Sequence, residues 1–382
     1  MRGGHPLSVF AAGATLVSSV IAPHPQAAMP PVPPSRSPSW APDVFVRRRP
    51  HLAVRGRVLG AVRRFFEENA FVEVDTPALQ VSPGMEPHLQ AFATELVGPH
   101  PDDRLQLHLH TSPEFAMKKL LVAGLPRIYQ IAHVFRNGER SATHSPEFSM
   151  LEWYRAGEGY RTLIRDCEEM LRESAVAAGR TQFEFRGMAC DPFRDWRVLT
   201  VQDAFLEYAG IDLLETFDGT HDPDPAPLAA AARGIGIHPH DGDRWEDIVF
   251  RIMFDRIEPH LGEGVPCVLT DYPVCMAALS RPKPEDPRLA ERFELYACGL
   301  ELANAFGELT DAAAQRARFE ADMALKERLY GDRFPVDEDF LAALEHGMPE
   351  SSGIALGFDR LVMLCSGAES IDEVLWLPVA GA

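Results

Sequence analysis

Two apolar runs on either side of a polar loop give the clearest periodic signal in the chain. Residues 127–135 and 148–154 each have the pattern of a buried strand. Because successive side chains of a strand point to opposite faces, the alternate residues from Phe148 to Tyr154 should share one face. Arg136 closes the first run. The segment predicts either a hairpin that holds a nucleotide, with the guanidinium on a phosphate, or an ordinary hairpin with a charged tip.

The other periodic segments predict helices and short strands. Further helices are expected at residues 54–70, 161–179, 200–208, 245–257, 312–330 and 338–346, and further strands at 71–74, 105–110, 293–297 and 300–302. Ser112, Pro113 and Glu114 have the pattern of a helix start, with a capping residue, a first-turn proline and an acid near the positive end of the helix dipole. Residues 197–263 have a mixed pattern with two predicted helices and no chemical constellation. We expect a helical insertion between two parts of a sheet, at about residues 156–285.

A predicted hairpin near residue 298 carries the acidic candidates. It should bring Glu294 and Glu301 together, and two neighbouring carboxylates repel unless a cation such as Mg²⁺ bridges them. Asn304, Phe306 and Glu308 follow at a spacing of two. An extended backbone directs all three to one side, where they could form a pocket for an ammonium group. A solvated edge hairpin is the alternative interpretation.

A second arginine lies near the C-terminus. Gly353 and Gly357 belong to an apolar segment with the pattern of a strand, where glycine allows close approach of a ligand. Arg360 follows at the start of the next predicted helix and is a second cation suited to a polyphosphate. This arrangement alone does not identify a nucleotide site.

Composition narrows the possible functions. The chain has 382 residues, 46% of them hydrophobic, which suits one large domain or two. The net charge of −19 disfavours extended nucleic-acid binding, because an acidic surface repels phosphate backbones. The six cysteines form no Cys-x-x-Cys pair, which fits a reduced, cytoplasmic protein and argues against zinc. Nothing approaches the ~20 apolar residues of a membrane span.

The first 45 residues differ from the rest of the chain. Residues 7–22 are small and apolar and weakly resemble a secretory signal, whereas residues 30–42 are rich in proline and serine. We expect residues 1–45 to be a disordered tail and residues 46–382 to form the main domain. The lack of disulfide spacing downstream favours a true start at Met29 over export.

Three separated segments together resemble one family. The helix and strand ending at Pro77, the segment from Phe135 to Tyr154, and the segment from Gly353 to Arg360 match, in order, the three motifs of class II aminoacyl-tRNA synthetases. The details are of lysyl type in three places, residues 111–124, 144–154 and 345–349. From about residue 50 onward the chain is most similar to the truncated, lysyl-type ligases that modify elongation factor P. The resemblance implies an α+β fold, a class II catalytic core with an antiparallel sheet flanked by helices.

The resemblance also implies roles for individual residues. Arg136 and Arg360 would be the catalytic cations, and Glu294 and Glu301 would bind Mg²⁺. ATP binding is implied for Arg136, Asn137, Glu139, Ser145, Phe148, Glu301, Leu302, Gly357 and Arg360. Substrate binding is implied for Ser112, Pro113, Glu114, Tyr154, Asn304, Phe306, Glu308 and Ala355. In these sets, Glu114 would bind the backbone-type amine of the substrate, and Tyr154 and Glu308 would bind its ε-ammonium.

The implied reaction has two steps. ATP and (R)-β-lysine or lysine form an aminoacyl-adenylate, and a lysine side chain of elongation factor P then attacks it. The resemblance further implies a cytoplasmic homodimer. We do not expect tRNA as the acceptor, because only about 45 residues precede the core where lysyl-tRNA synthetase carries an anticodon-reading domain.

Several positions depart from the family pattern. The usual glutamate two places after Arg136 is Gly138 here, with Glu139 next to it. The usual Asn-Gly-Phe has Ala305 at its centre. Ala355 is glycine in lysyl-tRNA synthetase but alanine in the β-lysine ligases, which favours the latter.

Two other functions stay open. A truncated lysyl-tRNA synthetase-like enzyme or an amino acid–ammonia ligase would use the same core, although Tyr154 and Glu308 favour a basic amino acid. A non-catalytic, amino-acid-binding regulatory paralogue should have lost its phosphate and metal ligands. All four of those candidates, Arg136, Glu294, Glu301 and Arg360, are present.

Overall fold

The computed structural model describes residues 38–100 and 102–379. The helices are α1 (Pro42–Glu68), α2 (Glu114–Val122), α3 (Arg161–Ala178), α4 (Val201–Ala209), α5 (Ala226–Gly234), α6 (Trp245–Ile252), α7 (Ala312–Tyr330), α8 (Glu338–Gly347) and α9 (Phe358–Ser366). The strands are β1 (Val72–Glu73), β2 (Leu79–Gln80), β3 (Phe92–Val97), β4 (Arg104–Leu109), β5 (Arg127–Phe135), β6 (Glu147–Ala156), β7 (Phe183–Phe185), β8 (Met188–Cys190), β9 (Arg197–Thr200), β10 (Cys267–Thr270), β11 (Arg292–Ala297), β12 (Leu300–Gly307) and β13 (Ser351–Gly357).

The N-terminal predictions are only partly tested. Those for residues 1–37 lie outside the described residues. Residues 42–45, which we assigned to the tail, form the first turn of α1, so the helix begins twelve residues before the predicted start at Val54. Pro42 suits this position, because proline lacks only an N–H that the first turn leaves unbonded anyway.

Eight strands form the main sheet in the order β1-β5-β6-β13-β12-β11-β10-β9. The central pairs are antiparallel, and the pairs β1–β5 and β9–β10 at the two edges are parallel. Smaller sheets have the orders β2-β4-β3 and β7-β8. This architecture confirms the predicted α+β class with a largely antiparallel sheet flanked by helices.

One face of the main sheet is apolar and covered by helices. The strand register aligns one residue from each of five neighbouring strands, namely Tyr129, Trp153, Ile354, Ala305 and Phe293. This apolar row packs with α1, α3 and α9 in a single hydrophobic cluster. The methyl of Ala305 therefore belongs to the core, which explains how the chain accommodates alanine at a position where the family has glycine.

The opposite face carries a second row, formed by the residue next to each apolar one in the five strands. We call it the polar row, because all of its members except Ala355 are polar: Gln130, Glu152, Ala355, Asn304 and Glu294. Two further clusters flank this row. One is formed with α2, α7 and α8, and the other with α4, α5 and α6. The polar row consequently lies between these two clusters, and all of its residues are buried.

The expected helical insertion at residues 156–285 also contains strands. β9 and β10 extend the main sheet, and α3 packs against α1. The helices α4, α5 and α6 lie between β9 and β10 in the sequence, and they pack together in a separate hydrophobic cluster. The predicted helix at 245–257 is α6 followed by a π-helical turn from Met253 to Ile257.

Two composition-based expectations can be compared with the described residues. The six cysteines are free thiols. Among residues 38–100 and 102–379, no helix has both the length and the apolar character needed to cross a membrane.

We expect Gly353→Ala to destabilise the protein. A Cβ at this position would lie 2.2 Å from Cε1 of Tyr154 and 2.5 Å from Oε1 of Glu308, and both residues are buried. Overpacking of this kind typically costs about 1–3 kcal/mol, measured as the free energy of urea-induced unfolding. Gly159→Ala is the control, because its new methyl meets nothing within 4 Å. Equal unfolding free energies for the two variants would contradict this packing.

Candidate active site

The predicted site residues lie on the side of the sheet that carries the polar row, and they form three groups. One group contains the two arginines, a second contains the acidic hairpin of β11 and β12, and the third is a pocket of buried carboxylates beside α2. The first two groups touch through Arg360, whose Nη1 donates to the backbone oxygen of Glu301 at 2.7 Å.

Arg136 and Arg360 come from different elements. Arg136 directly follows β5 and is fully buried, and its guanidinium lies 5.3 Å from the centroid of the Phe148 ring. Arg360 lies in the first turn of α9, and its Nη2 donates to Nε2 of His144 at 2.5 Å. Burial, reinforced by the two arginines, lowers the pKa of His144 to about 2. The imidazole is therefore neutral and able to accept this hydrogen bond.

A small cavity of about 20 Å³ lies beside Phe148, His144 and Arg360. Its lining residues are Glu139, Thr143, His144, Ser145, Phe148, Gly357, Asp359, Arg360 and Ile371. This volume accommodates about one water molecule, so a nucleotide could enter only after the lining side chains separate. Of the predicted nucleotide contacts, Glu139, Ser145, Phe148, Gly357 and Arg360 all line this cavity.

The loop after Arg136 explains one departure from the family pattern. Gly138 has φ +84°, a left-handed conformation that disfavours a side chain. Glu139 is buried and lines the cavity. Burial raises the pKa of its carboxyl, and Arg136 and Arg360 oppose that rise. Glu139 therefore faces both arginines, whereas Asn137 is exposed and donates its backbone N–H to Gln90.

A β-bulge shapes the acidic hairpin. Tyr296 pairs with Glu301, and Leu295 pairs with Ala303, which leaves Leu302 as an extra residue in β12. A bulge re-aims the side chains around it. The side chain of Leu302 packs into the helix-covered core. Leu302 was a predicted nucleotide contact, but its side chain faces away from the site, and only its backbone remains for such a contact.

The two carboxylates of the hairpin have different surroundings. Glu294 forms an ion pair with Arg292 and accepts hydrogen bonds from Tyr272 (2.6 Å) and Tyr296 (2.7 Å). Within residues 38–100 and 102–379, the buried Oε1 of Glu301 has no hydrogen-bond partner. Burial and repulsion from Glu294 raise the pKa of Glu301 to about 8.

These surroundings fit a divalent cation held mainly through Glu301. An orphaned, buried carboxylate oxygen gains most from a cation, and Oε1 of Glu294 has a single donor and so keeps a free lone pair. Among the described residues, no group of three or more His, Cys, Asp or Glu side chains forms a metal cage. Mg²⁺ does not need one, because it retains water and phosphate ligands.

The third group is a pocket of buried carboxylates around a lysine. Nζ of Lys118 lies 2.5 Å from Oε1 of Glu114 and 2.5 Å from Oε2 of Glu308. Glu152 accepts hydrogen bonds from Ser112 Oγ (2.5 Å) and the Tyr154 hydroxyl (3.1 Å). The predicted substrate residues Ser112, Glu114, Tyr154 and Glu308 are thus brought together.

Two carboxyls of this pocket, those of Glu152 and Glu308, have raised pKa values. Burial and repulsion from Glu114 raise the pKa of Glu152 to about 8. Burial raises the pKa of Glu308 to about 7, despite the opposing effect of Lys118. An added cation would lower both values, since an opposite charge nearby favours the ionised form.

The remaining predicted contacts surround this pocket. Asn304, Phe306 and Ala355 are buried, and Asn304 accepts a hydrogen bond from Arg292. Pro113 precedes α2, which begins one residue later than predicted, and Ser112 Oγ accepts the N–H of Glu114 at 3.0 Å.

Sequence reasoning missed several residues that contact the predicted ones, among them Lys118, His144, Glu152 and Arg292. Three of these four had a signal. Lys118 lies four residues after Glu114 on one helix, a spacing typical of ion pairs. Glu152 shares the strand face of Tyr154, and Arg292 shares that of Glu294. His144 becomes recognisable only when the fold brings it to Arg360.

A larger cavity of about 480 Å³ lies elsewhere, between α7, α6 and the segment 85–88. None of the predicted site residues lines it. The predicted site therefore does not coincide with this larger cavity.

Comparison with known proteins shows the family of the chain. The family described as tRNA synthetases class II (D, K and N) matches residues 46–381. The elongation factor P–(R)-β-lysine ligase of Edwardsiella ictaluri is 38% identical over 339 residues, covering 88% of this chain and 96% of that protein. The ligases of the same name from Klebsiella pneumoniae (38% over 343 residues, 89% and 98%) and Yersinia enterocolitica (37% over 350 residues, 91% and 100%) are similarly close.

We expect Arg292→Met to be strongly destabilising. It leaves Glu294 buried without its counter-charge, and breaking a buried pair from one side typically costs about 3–5 kcal/mol. Adding Glu294→Gln should recover much of that loss in urea-induced unfolding. Arg316→Ala, which breaks an exposed ion pair with Glu338, should leave the unfolding curve unchanged. A double variant no more stable than Arg292→Met would contradict the pairing.

Proposed function

Since this chain belongs to the class II tRNA synthetase family, we propose that it is an ATP-dependent ligase that activates (R)-β-lysine or lysine and transfers it to a lysine side chain of elongation factor P. The observation that carries the proposal is the pocket of Glu114, Glu152 and Glu308 beside Arg136 and Arg360. Such a pocket suits a diamino acid, and the arginines suit the phosphates of ATP. The relatives named for this activity support the choice of substrate and acceptor.

In the activation step, the substrate carboxylate attacks the α-phosphate of ATP and pyrophosphate leaves. We assign Arg136 to the α-phosphate and Arg360 to the γ-phosphate side. Phe148 lies beside both, and its ring would stack on the adenine once the nucleotide separates it from Arg136. Glu139 would contact the adenine edge in place of the family's usual glutamate. Catalysis here is positioning and charge stabilisation, without a nucleophile on the enzyme.

Mg²⁺ would be held by Glu301, with Glu294 as second ligand. It would neutralise charge on the phosphates and on these two carboxylates. The raised pKa of Glu301 indicates that this charge is not compensated by the protein alone. Arg292 and the two tyrosines orient Glu294 for this role.

Substrate recognition would use the carboxylate pocket. We assign Glu114 to the backbone-type amine, and Glu308 with Tyr154 to the distal ammonium. Glu152, which hydrogen-bonds both Ser112 and Tyr154, connects the two ends. In the transfer step, the acceptor's amine attacks the carbonyl carbon of the adenylate, AMP leaves, and the amine's proton is released.

The proposed acceptor places the enzyme in the cytoplasm, where translation factors work. We also propose a homodimer, by analogy with the family, formed around α1 and the adjoining short strands. Val72, Leu79 and Val81 are large apolar side chains that are more than two-fifths exposed in that region. Burying them against a second copy would remove this exposed apolar surface from water.

The acceptor can be tested directly by incubation with ATP and labelled (R)-β-lysine or lysine, together with elongation factor P or bulk tRNA. We expect label on elongation factor P, with mass spectrometry locating it on a lysine side chain. Elongation factor P with the labelled lysine replaced by arginine is the control. Label on tRNA alone would contradict the proposed acceptor.

We expect Arg136→Ala to abolish lysine-dependent ATP–pyrophosphate exchange. Removing a group that stabilises transition-state charge typically reduces the rate by about 10² or more. Arg316→Ala is the matched control, since this arginine is exposed and remote from the arginine and carboxylate groups. Near-normal exchange by the Arg136 variant would show that the phosphate site is assigned wrongly.

A further inference from the structure

Lys118 is a fully buried cation inside the proposed substrate pocket. Its ammonium group contacts Glu114 and Glu308 at 2.5 Å each, and both carboxylates are buried as well. Burial by itself opposes the charged form, yet the two ion pairs outweigh it and raise the pKa of Lys118. The lysine is therefore charged throughout the working pH range, and it joins the two carboxylates that the proposed function assigns to the two ends of the substrate.

The charges facing this pocket come from several elements. Glu114 and Lys118 lie on α2, Glu152 and Tyr154 on β6, and Glu308 directly after β12. Arg281, in the loop that leads to β11, lowers the pKa of Glu308 from further away. Three carboxylates thus surround a single lysine. When all are ionised, this group carries two uncompensated negative charges.

We propose that Lys118 is a specificity-determining residue that matches the pocket to a substrate with two ammonium groups. This inference rests on the proposed function. By bridging Glu114 and Glu308, Lys118 holds both carboxylates in place and favours the ionised form of Glu308. The fully ionised group then carries two negative charges more than Lys118 compensates, and two substrate ammonium groups would match them. A substrate with one ammonium group leaves one carboxylate uncompensated, and that carboxylate must take up a proton.

Removing Lys118 should change the pocket in a defined way. Glu114 and Glu308 would then repel each other without a bridge, and the pKa of Glu308 would rise further, because Lys118 lowers it in the wild-type protein. At neutral pH the pocket would then be protonated where the distal ammonium binds. Amino-acid binding should weaken near pH 7 and recover at higher pH.

The sign of the wild-type pH dependence follows from the same groups. The carboxyls of Glu308 and Glu152 have pKa values raised to about 7 and about 8. The substrate's ammonium groups bind the ionised carboxylates, so binding expels protons. The affinity for lysine should therefore rise as the pH increases from 6 through 8.

The test measures ATP–pyrophosphate exchange by the full-length enzyme between pH 6 and 9, with lysine, (R)-β-lysine or norleucine, which lacks the second ammonium group. For Lys118→Met we expect a KM for lysine raised at least ~10-fold at pH 7 and a pH profile displaced upward by about one unit, since one pKa unit corresponds to a tenfold change. Preference for lysine over norleucine should fall by a similar factor. The KM for ATP should stay unchanged.

Lys326→Met is the matched control. Lys326 is also a fully buried lysine, but its ammonium group donates to the backbone oxygens of Pro87 and Leu89, outside the pocket. Its loss should lower stability without moving the pH profile. A Lys118→Met variant whose lysine KM, selectivity and pH profile match those of Lys326→Met has lost only a structural cation, which overturns the inference.

A second pair of variants covers a failure of Lys118→Met to fold. Lys118→Met combined with Glu308→Gln removes one charge of each sign and should fold, because the buried charge stays balanced. If Lys118 acts through Glu308, the double variant and Glu308→Gln should have the same lysine KM and pH profile. Clearly different profiles would refute the coupling. Absence of lysine-dependent exchange in the wild-type enzyme would overturn the proposed function and this inference together, whereas an active wild type isolates the inference.

Discussion

In each of five adjacent strands, one residue points to the helix-covered core and the residue next to it points to the site. The site depends on this alternation. The apolar row, whose end members are Tyr129 and Phe293, packs against α1, α3 and α9. The polar row one position along is thereby directed to the other face. A register shift of one residue would expose the core and bury the polar row among helices, so hydrophobic packing and the placement of Glu152, Asn304 and Glu294 are enforced together.

Buried charge is the second organising feature. Arg292 with two tyrosines compensates Glu294, Lys118 compensates Glu114 and Glu308, and a neutral His144 accepts from Arg360. Compensation is incomplete at the carboxyls of Glu152, Glu301 and Glu308, whose pKa values are raised to between about 7 and 8. The proposed function places a substrate ammonium group at Glu308 and Mg²⁺ at Glu301, and Glu152 lies beside the substrate residues Ser112 and Tyr154. The site thus contains carboxylates whose negative charge the protein does not fully compensate, and we expect bound cationic ligands to compensate it.

Local predictions succeeded where the periodic signal was strong and failed where tertiary packing decided. The bounds of β5 and α7 match the predicted segments, because a long apolar run and a long amphipathic pattern each exclude the alternatives. The start of α1 was predicted too late, and the strands within residues 156–285 were not predicted. β9 and β10 pair with each other although 66 residues separate their ends, which local periodicity does not reveal. Leu302 lies in a strand, as predicted, but at the β-bulge its side chain points into the core.

The sequence by itself determined the two arginines, the two hairpin carboxylates, the spacing of Asn304, Phe306 and Glu308, and the family to which these motifs belong. Those features are local or ordered along the chain, so residue type and spacing suffice to recognise them. Only the tertiary structure decided that Lys118 bridges Glu114 and Glu308, that Glu294 is already engaged by Arg292, and that Glu301 keeps a free oxygen. The contact of Lys118 with Glu308 joins elements far apart in sequence. The pairs Lys118–Glu114 and Arg292–Glu294 are close in sequence, but only the packing of the fold buries them at the site.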